Sequence, residues 1–399
     1  MRIGIDARFY GPVGHGGLGR YTTELIRALE NIDTENEYVV FLRRENFGLY
    51  VPTNRRFRKV LADFRWYSCA EQFFFPFVLF RERCDIVHFP HFNVPLLYRK
   101  PFVVTVHDLI LLRFPTLRAT TLSPLLYRLK FLAYRMVIRG AILSSKAIIT
   151  ISEYAKRDIL DRYRVSPEKI SVTYEATRSF CSTMSSEQSR QFFSSLHLLS
   201  REDRDEKKLL RDILKPYALY VGNAYPHKNL EALLAAFDRL RDLSARLVLV
   251  GGNDYFYRRL KAYAKRRAMD RVIFAGAVSD EQLDLLYRHA RVSVFPSLYE
   301  GFGLPPLEAM AKGSPVIAAR ATAFPEVLGD AAWLFDPSDP VALPHALRSM
   351  WHDESLRELF RRRGFLRAAS FSWEKMGQET LSIYQKHWAS VGNKDTSFR

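Results

Sequence analysis

The sequence predicts an α/β protein built from two doubly wound parallel-sheet domains, and three observations predict it. Short apolar, β-rich runs alternate with helical patterns, which is how parallel strands covered on both faces by helices read. That alternation is interrupted once by a polar, charge-dense stretch and then restarts as a second series. The 399 residues are enough for two domains of ordinary size, each with its own core.

The first series runs RIGID (2–6), YVVFL (38–42), DIVHF (85–89), FVVTV (102–106), AIITI (147–151) and ISVT (170–173). Between the first two runs, a glycine-rich segment leads into a helix expected to start near Gly19. Residues 182–215 contain REDRDEKK and no strand pattern, and read as a polar linker or insertion holding a short helix. The second series is YALYVG (217–222), RLVLVG (246–251), RVIFAG (271–276), RVSVF (291–295), PVIAA (315–319) and AWLF (332–335). The segment 371–388 reads as a helix with Ser372 as N-cap and Trp373, Met376, Thr380 and Tyr384 on one face. Domains are therefore expected over 1–181 and 216–376, the first completed by a helix over 377–399.

A hydrophobic content of 48% with 26% charged residues excludes a disordered chain. Three cysteines at irregular spacing form neither a disulfide framework nor a metal pattern and suit a reducing cytoplasm. The N-terminus enters a strand pattern directly, without the apolar core of a signal peptide. No apolar run is long enough to cross a bilayer; FFFPFVLF (73–80) is short and carries a proline. Net charge is +17 and unevenly placed: no acidic residue lies between Asp108 and Glu153, where Arg113, Arg118, Arg128, Lys130, Arg135, Arg139 and Lys146 are interleaved with apolar residues. Such a surface suits anionic lipid headgroups, a lipid pyrophosphate or nucleic acid, or else is a solvated helix face with arginine stems packed on the core. The charge lies apart from any recognisable nucleic-acid module, so no nucleic-acid partner is expected.

The chemistry concentrates in SLYEGFGLPPLEAMAKG (297–313). A buried strand, a tight loop and a helix place Glu300 beyond the strand's carboxyl end and Glu308 in the helix's first turn, with the N–H groups of Gly303 and Leu304 outward. Two carboxylates accept sugar hydroxyls, and the N–H groups suit a phosphate between them. In VGNAYPHKNL, Lys228 arrives at the start of a helix, where its charge and the helix's positive end suit a diphosphate, with His227 beside it. Gly14, Gly16 and Gly19 formally satisfy a dinucleotide fingerprint, but Gly14 lies well past the first strand and Arg43 and Arg44, with no acidic residue, follow the second. The segment reads either as a weak dinucleotide site or as a lip, Gly16, Gly17 and Gly19, bringing N–H groups near a diphosphate. His107 stands just past a strand, where it either serves a ligand or is structural.

YEGFGLPPLE, PHKNL and GGLGRYTTEL, together with ITISEYAKRDI (149–159) and AFPEVLGD (323–330), resemble family four of the retaining, nucleotide-sugar-dependent glycosyltransferases, whose architecture is GT-B. The resemblance covers most of the chain apart from 182–215. It implies two Rossmann-like domains facing each other across a cleft, the first taking the acceptor and the second the donor. It further implies that Glu300 lies against the donor sugar, that Glu308 binds the nucleotide ribose, and that His107 contacts the sugar or assists the acceptor. Many relatives carry an arginine where this chain has Asn223, leaving Lys228 as the principal cation, helped by His227. Expected donor contacts are then Gly16, Gly17, Gly19, Asn223, His227, Lys228, Glu300, Gly301, Phe302, Gly303, Leu304 and Glu308. The expected catalytic groups are His107, Lys228 and Glu300, and the acceptor or membrane side is Arg113, Arg118, Arg128, Lys130 and Arg135. His88 and His91 are expected in supporting roles at a second strand end. The implied reaction moves a hexose, first of all mannose from GDP-mannose, to a hydroxyl of a glycan or lipid-linked glycan at the inner face of the cytoplasmic membrane. The nucleotide sugar is a substrate, no cofactor is expected, and without a D-x-D cluster no metal is required. A nucleotide-sugar epimerase or hydrolase of the same fold is the alternative, with a basic nucleic-acid-binding protein a more distant one.

Overall fold

The computed structural model describes residues 1–11, 16–114, 123–177, 181–199, 210–242 and 244–395. The chain forms two compact units, Met1–Glu175 with Ser372–Arg399, and Ala176–Phe371.

The first unit holds a seven-stranded parallel sheet in the order β3-β2-β1-β4-β5-β6-β7. Its strands are β1 (Arg2–Asp6), β2 (Glu37–Leu42), β3 (Phe57–Leu61), β4 (Ile86–Phe89), β5 (Phe102–Thr105), β6 (Ala147–Thr150) and β7 (Ile170–Val172). Strands β4, β5 and β6 are buried along their whole length, as strands covered by helices on both faces must be. The edge strand β3, FRKVL, was not expected from sequence, because only Phe57 in it is fully buried and its polar residues hide the strand pattern. The C-terminal helix Trp373–Asp395 packs on the helix Gly16–Ile32 so closely that a Cβ on Gly377 would lie 2.7 Å from that of Ala28. A hydrogen bond of 2.5 Å between His88 Nδ1 and the Tyr384 hydroxyl ties the same helix to β4.

The second unit holds a six-stranded parallel sheet in the order β10-β9-β8-β11-β12-β13. These strands are β8 (Tyr217–Val221), β9 (Arg246–Val250), β10 (Val272–Gly276), β11 (Val292–Phe295), β12 (Val316–Ala319) and β13 (Trp333–Phe335). In each unit the first strand lies beside the fourth, so the chain reverses direction across the sheet at β1/β4 and again at β8/β11. The crevice outside the carboxyl ends of such a strand pair is where doubly wound sheets bind ligands.

The structure departs from the sequence reading in the details of several elements. The stretch expected as a linker or insertion belongs to the second unit: its helix Ser186–Ser195 packs on the helix Asp280–His289, with the Phe193 and His289 rings edge to face at 5.6 Å, and the Ser182 N–H donates to Asp284. The first helix opens at Gly16, not Gly19, so Gly17 and Gly19 lie inside its first turn rather than in a lip. Gly14 and Arg118 lie outside the described residues.

Candidate active site

At the second unit's strand reversal, the segment after β8 and the segment after β11 are laced together. The Leu298 N–H donates to the His227 carbonyl at 2.7 Å, and Lys228 Nζ donates to both Glu300 oxygens, at 2.6 and 2.8 Å. Contrary to the expectation, Lys228 does not begin the following helix. It sits in the 3-10 turn Pro226–Lys228, and left-handed Asn229, φ 57°, separates it from the helix Leu230–Asp238. That turn aims the ammonium across the sheet edge at Glu300. An ammonium has three N–H donors, and two are used here, so a third is available to a ligand oxygen. His227 is buried beside Lys228, and burial, reinforced by the Lys228 charge, holds its imidazole down to about 4. His227 is therefore neutral near pH 7 and does not help Lys228 as a second cation. Asn223 is exposed, and its carbonyl accepts the hydroxyl of buried Tyr220 at 2.7 Å.

Glu300 is anchored through its own backbone: its N–H donates to Thr322 Oγ1 at 2.9 Å. Thr322 takes a left-handed φ of 50°, uncommon for a β-branched residue, which marks it as a positioning residue imposed by its surroundings. Nothing in the sequence around Thr322 signalled this role; the signal is the backbone conformation itself.

Beyond Glu300, Gly301 and Phe302 are buried, and the Phe302 ring meets Phe371 edge to face at 5.5 Å. Gly303 caps the helix Leu304–Ala311 with φ 110°, and a Cβ there would lie 2.6 Å from the Phe324 ring. Only glycine fits both demands. The helix opens at Leu304, so Glu308 begins its second turn rather than lying in the first. Pro305 and Pro306 have no N–H, so the donors at this helix start reduce to Leu304 with Gly303 before it, a narrower anion site than the sequence suggested. Glu308 is only 2% exposed, and the Tyr287 hydroxyl lies 3.4 Å from its Oε2 and 3.3 Å from the Pro305 carbonyl. The cost of burying a carboxylate is offset where hydrogen-bond donors such as the Tyr287 hydroxyl meet it.

In the first unit, His107 follows β5 at the carboxyl edge. Its Nε2 donates to the Pro90 carbonyl at 2.9 Å, its Nδ1 lies 3.4 Å from Glu175, and the Tyr21 ring packs edge-on at 4.7 Å. His88 is fully buried between Tyr384 and Thr105, the latter at 2.8 Å, and burial, with His107 nearby, holds it down to about 3. It is a structural strut. Ser152 caps the helix Glu153–Arg162 by accepting the Ala155 N–H. Arg113 is not a free surface cation: its Nε donates to buried Asp158 at 2.6 Å. Arg128, Lys130 and Arg135 stand exposed on the helix Pro124–Ser144. Among the described residues, no group of three or more His, Cys, Asp or Glu could hold a metal ion, and no helix is long and apolar enough to cross a membrane.

Comparison with known proteins places these segments. Residues 15–176 match the model of Glycosyltransferase Family 4, and residues 201–367 match that of glycosyl transferases group 1. O-antigen chain mannosyltransferase B of Escherichia coli is 28% identical over 92% of this chain and 96% of its own length. Among solved structures, sucrose-phosphate synthase from Thermosynechococcus elongatus has a TM-score of 0.74 at 21% identity, covering 98% of this chain and 99% of that one. Anabaena HepE in complex with UDP-glucose has a TM-score of 0.69 at 16% identity, covering 96% and 99%. Two glycosyltransferase domains in tandem, with the paired parallel sheets of the GT-B fold, make this chain a glycosyltransferase.

Proposed function

We propose that the chain is a retaining hexosyltransferase that takes mannose from GDP-mannose and delivers it to a hydroxyl of a glycan or lipid-linked glycan in surface polysaccharide synthesis. The observation that carries this reading is the Lys228–Glu300 pair bridging the strand reversal of the second unit, with Glu308 behind it. Support for the sugar comes from the mannosyltransferase of Escherichia coli, and for a nucleotide-sugar donor from the UDP-glucose complex of HepE.

The geometry suits the reaction. The bond between the anomeric carbon and the phosphate oxygen breaks, and negative charge grows on the departing diphosphate. The third Lys228 N–H and the N–H groups of Gly303 and Leu304 receive that charge, in a site fixed before the reaction begins. Glu300, held by Lys228 and Thr322, accepts hydroxyls of the sugar on which positive charge develops. Glu308 accepts the ribose hydroxyls. The acceptor hydroxyl attacks from the side the phosphate leaves, and its proton passes to a diphosphate oxygen, so the anomeric configuration is kept. Lys228 and backbone N–H groups neutralise the diphosphate in this reading, so activity is expected to persist in a chelator.

The first unit presents a face suited to an anionic membrane. On the helix Pro124–Ser144, Leu125, Leu129, Leu132 and Met136 are exposed at helical spacing, while Tyr134, Ile138 and Ile142 face the core. Arg128, Lys130, Arg135 and Arg139 are exposed on the same helix. We read this face as a peripheral docking helix.

The test is to incubate the full chain with 13C-labelled GDP-mannose and a mannose-terminated acceptor, and to read the anomeric signal of the product by NMR. A new α-linked residue supports the reading. Consumption of donor at the same rate without acceptor would favour a hydrolase or epimerase.

A further inference from the structure

The carboxyl edge of the first unit's sheet carries aromatic rings that the donor site does not use. Trp66 and Tyr67 form the turn between β3 and the helix Cys69–Arg81. Tyr67 takes a left-handed φ of 59°, a strained conformation for a bulky residue, yet the residue is 65% exposed. Strain of this kind persists only where the surroundings impose it, and it gathers at ligand sites.

The surroundings that impose it are unusually elaborate. The Tyr67 N–H donates to Glu71 Oε2 at 2.8 Å, and the Glu71 N–H donates to Ser68 Oγ at 3.2 Å. The other Glu71 oxygen receives Arg8 at 2.7 Å and the Asn93 amide. Arg8 also clasps both oxygens of Asp6, each at 2.7 Å, at the end of β1. The Arg8 and Glu71 side chains are wholly buried. A buried ionic network is weak evidence for stability, so its presence asks for another use. What it fixes at the surface is the position of two rings.

Those rings make a shelf. Trp66 stacks on Phe9 with centroids 4.4 Å apart at 17°, and the Arg43 guanidinium lies 4.5 Å from the Trp66 ring centre. The Tyr67 ring stands edge-on to His91, which packs 5.2 Å from Phe9. His91 Nδ1 is buried with no hydrogen-bond partner among the described residues. The residue before it, Pro90, accepts the hydrogen bond of His107, so the shelf adjoins the histidine of the first unit's sheet edge.

We propose that the exposed Tyr67 ring, with Trp66 as its support, forms a stacking platform for a pyranose ring of the acceptor glycan. This rests on the reading that the first unit takes the acceptor. A pyranose has one face of C–H groups, which covers an aromatic ring, and a rim of hydroxyls, which meets polar groups around the shelf. A nucleobase also stacks, but it brings a diphosphate, and the cations here are already engaged: Arg8 by Asp6 and Glu71, Arg43 by Glu45.

The experiment is saturation-transfer NMR on the full chain with a panel of free trisaccharides of mannose, glucose and N-acetylglucosamine, using wild type, Tyr67→Gly, Tyr67→Phe and Trp66→Ala. Glycine tolerates the left-handed turn, so Tyr67→Gly keeps or raises Tm while losing the ring. The expected result is transfer to sugar ring protons in wild type and Tyr67→Phe, and a roughly tenfold weaker affinity in Tyr67→Gly and Trp66→Ala. The thermal shift produced by GDP is expected to be the same in all four proteins. Transfer to no trisaccharide in wild type, or equal transfer in Tyr67→Gly, overturns the proposal. Loss of the GDP shift in Tyr67→Gly would put a base on the shelf and overturns it too. A wild-type protein that contacts trisaccharides but shows no shift with any nucleoside diphosphate leaves the shelf standing and sinks the donor reading.

Discussion

At the residue scale, the account rests on which side chains hold each other before any ligand arrives. Glu300 and Lys228 lie 72 positions apart in the chain and meet because β8 and β11 are neighbours in the sheet. The sequence marked both as candidates through their strand-end placement, but it could not show that one orients the other. Thr322 was invisible in the sequence, since a left-handed threonine leaves no compositional trace. Thr322→Val removes the hydroxyl that accepts the Glu300 N–H and is expected to lower kcat about tenfold with little change in nucleotide affinity, whereas Thr322→Ser keeps both. Steady-state kinetics beside calorimetric titration separate the two quantities. His227 gives a pH prediction. Its folded value of about 4 lies below the ordinary 6.5, so the unfolded chain binds its proton first as pH falls. The stabilisation is complete above pH 6.5 and is lost on the way down to about 4, with a slope of at most about 1.4 kcal/mol per pH unit from this one group. His227→Gln is expected to flatten the acid limb of stability over that range, as read from denaturant midpoints. His88 and His91, held near 3 by burial, keep the remainder of the limb in place.

At the element scale, the strands were legible because parallel strands covered on both faces must be continuous apolar runs, as β4, β5, β6, β11 and β12, buried along their whole length, are. The edge strand β3 escaped notice for the same reason in reverse, its Arg58 and Lys59 reading as loop. Helix starts were less legible, since prolines and left-handed residues such as Asn229 and Gly303 shift them by a residue or more. The C-terminal helix was readable as amphipathic, but its partners were not: Tyr384 reaches His88 across 296 positions. Gly377→Ala sets a methyl group against Ala28 and is expected to destabilise the first unit by about 1–3 kcal/mol, lowering Tm without weakening nucleotide binding by the second. On the helix Pro124–Ser144, Leu129→Glu with Leu132→Glu places charge in the exposed apolar stripe and is expected to abolish co-sedimentation with phosphatidylglycerol vesicles while leaving transfer to a soluble acceptor intact. Equal sedimentation of the double variant would remove the docking face from the account.

At the scale of the whole molecule, one topological device is used twice. Each unit reverses its strand order between its first and fourth strands, and each reversal gathers polar side chains at the carboxyl edge: Lys228 and Glu300 in the second unit, Asp6, Arg8 and Glu71 in the first. The fold was legible because the alternating pattern occurs in two series. The boundary was not, since 182–215 is polar in composition yet packs on the second unit through Phe193. The net charge of +17 favours encounter with anionic donors and membranes alike, so salt alone cannot tell specific donor binding from attraction. A substitution can. The most direct measurement is the calorimetric titration of GDP into wild type and Lys228→Ala at fixed ionic strength. The account predicts saturable one-to-one binding that weakens by about tenfold to a hundredfold when the ammonium is removed. Equal affinity in the two proteins, or no binding by wild type of GDP or any other nucleoside diphosphate, would contradict it.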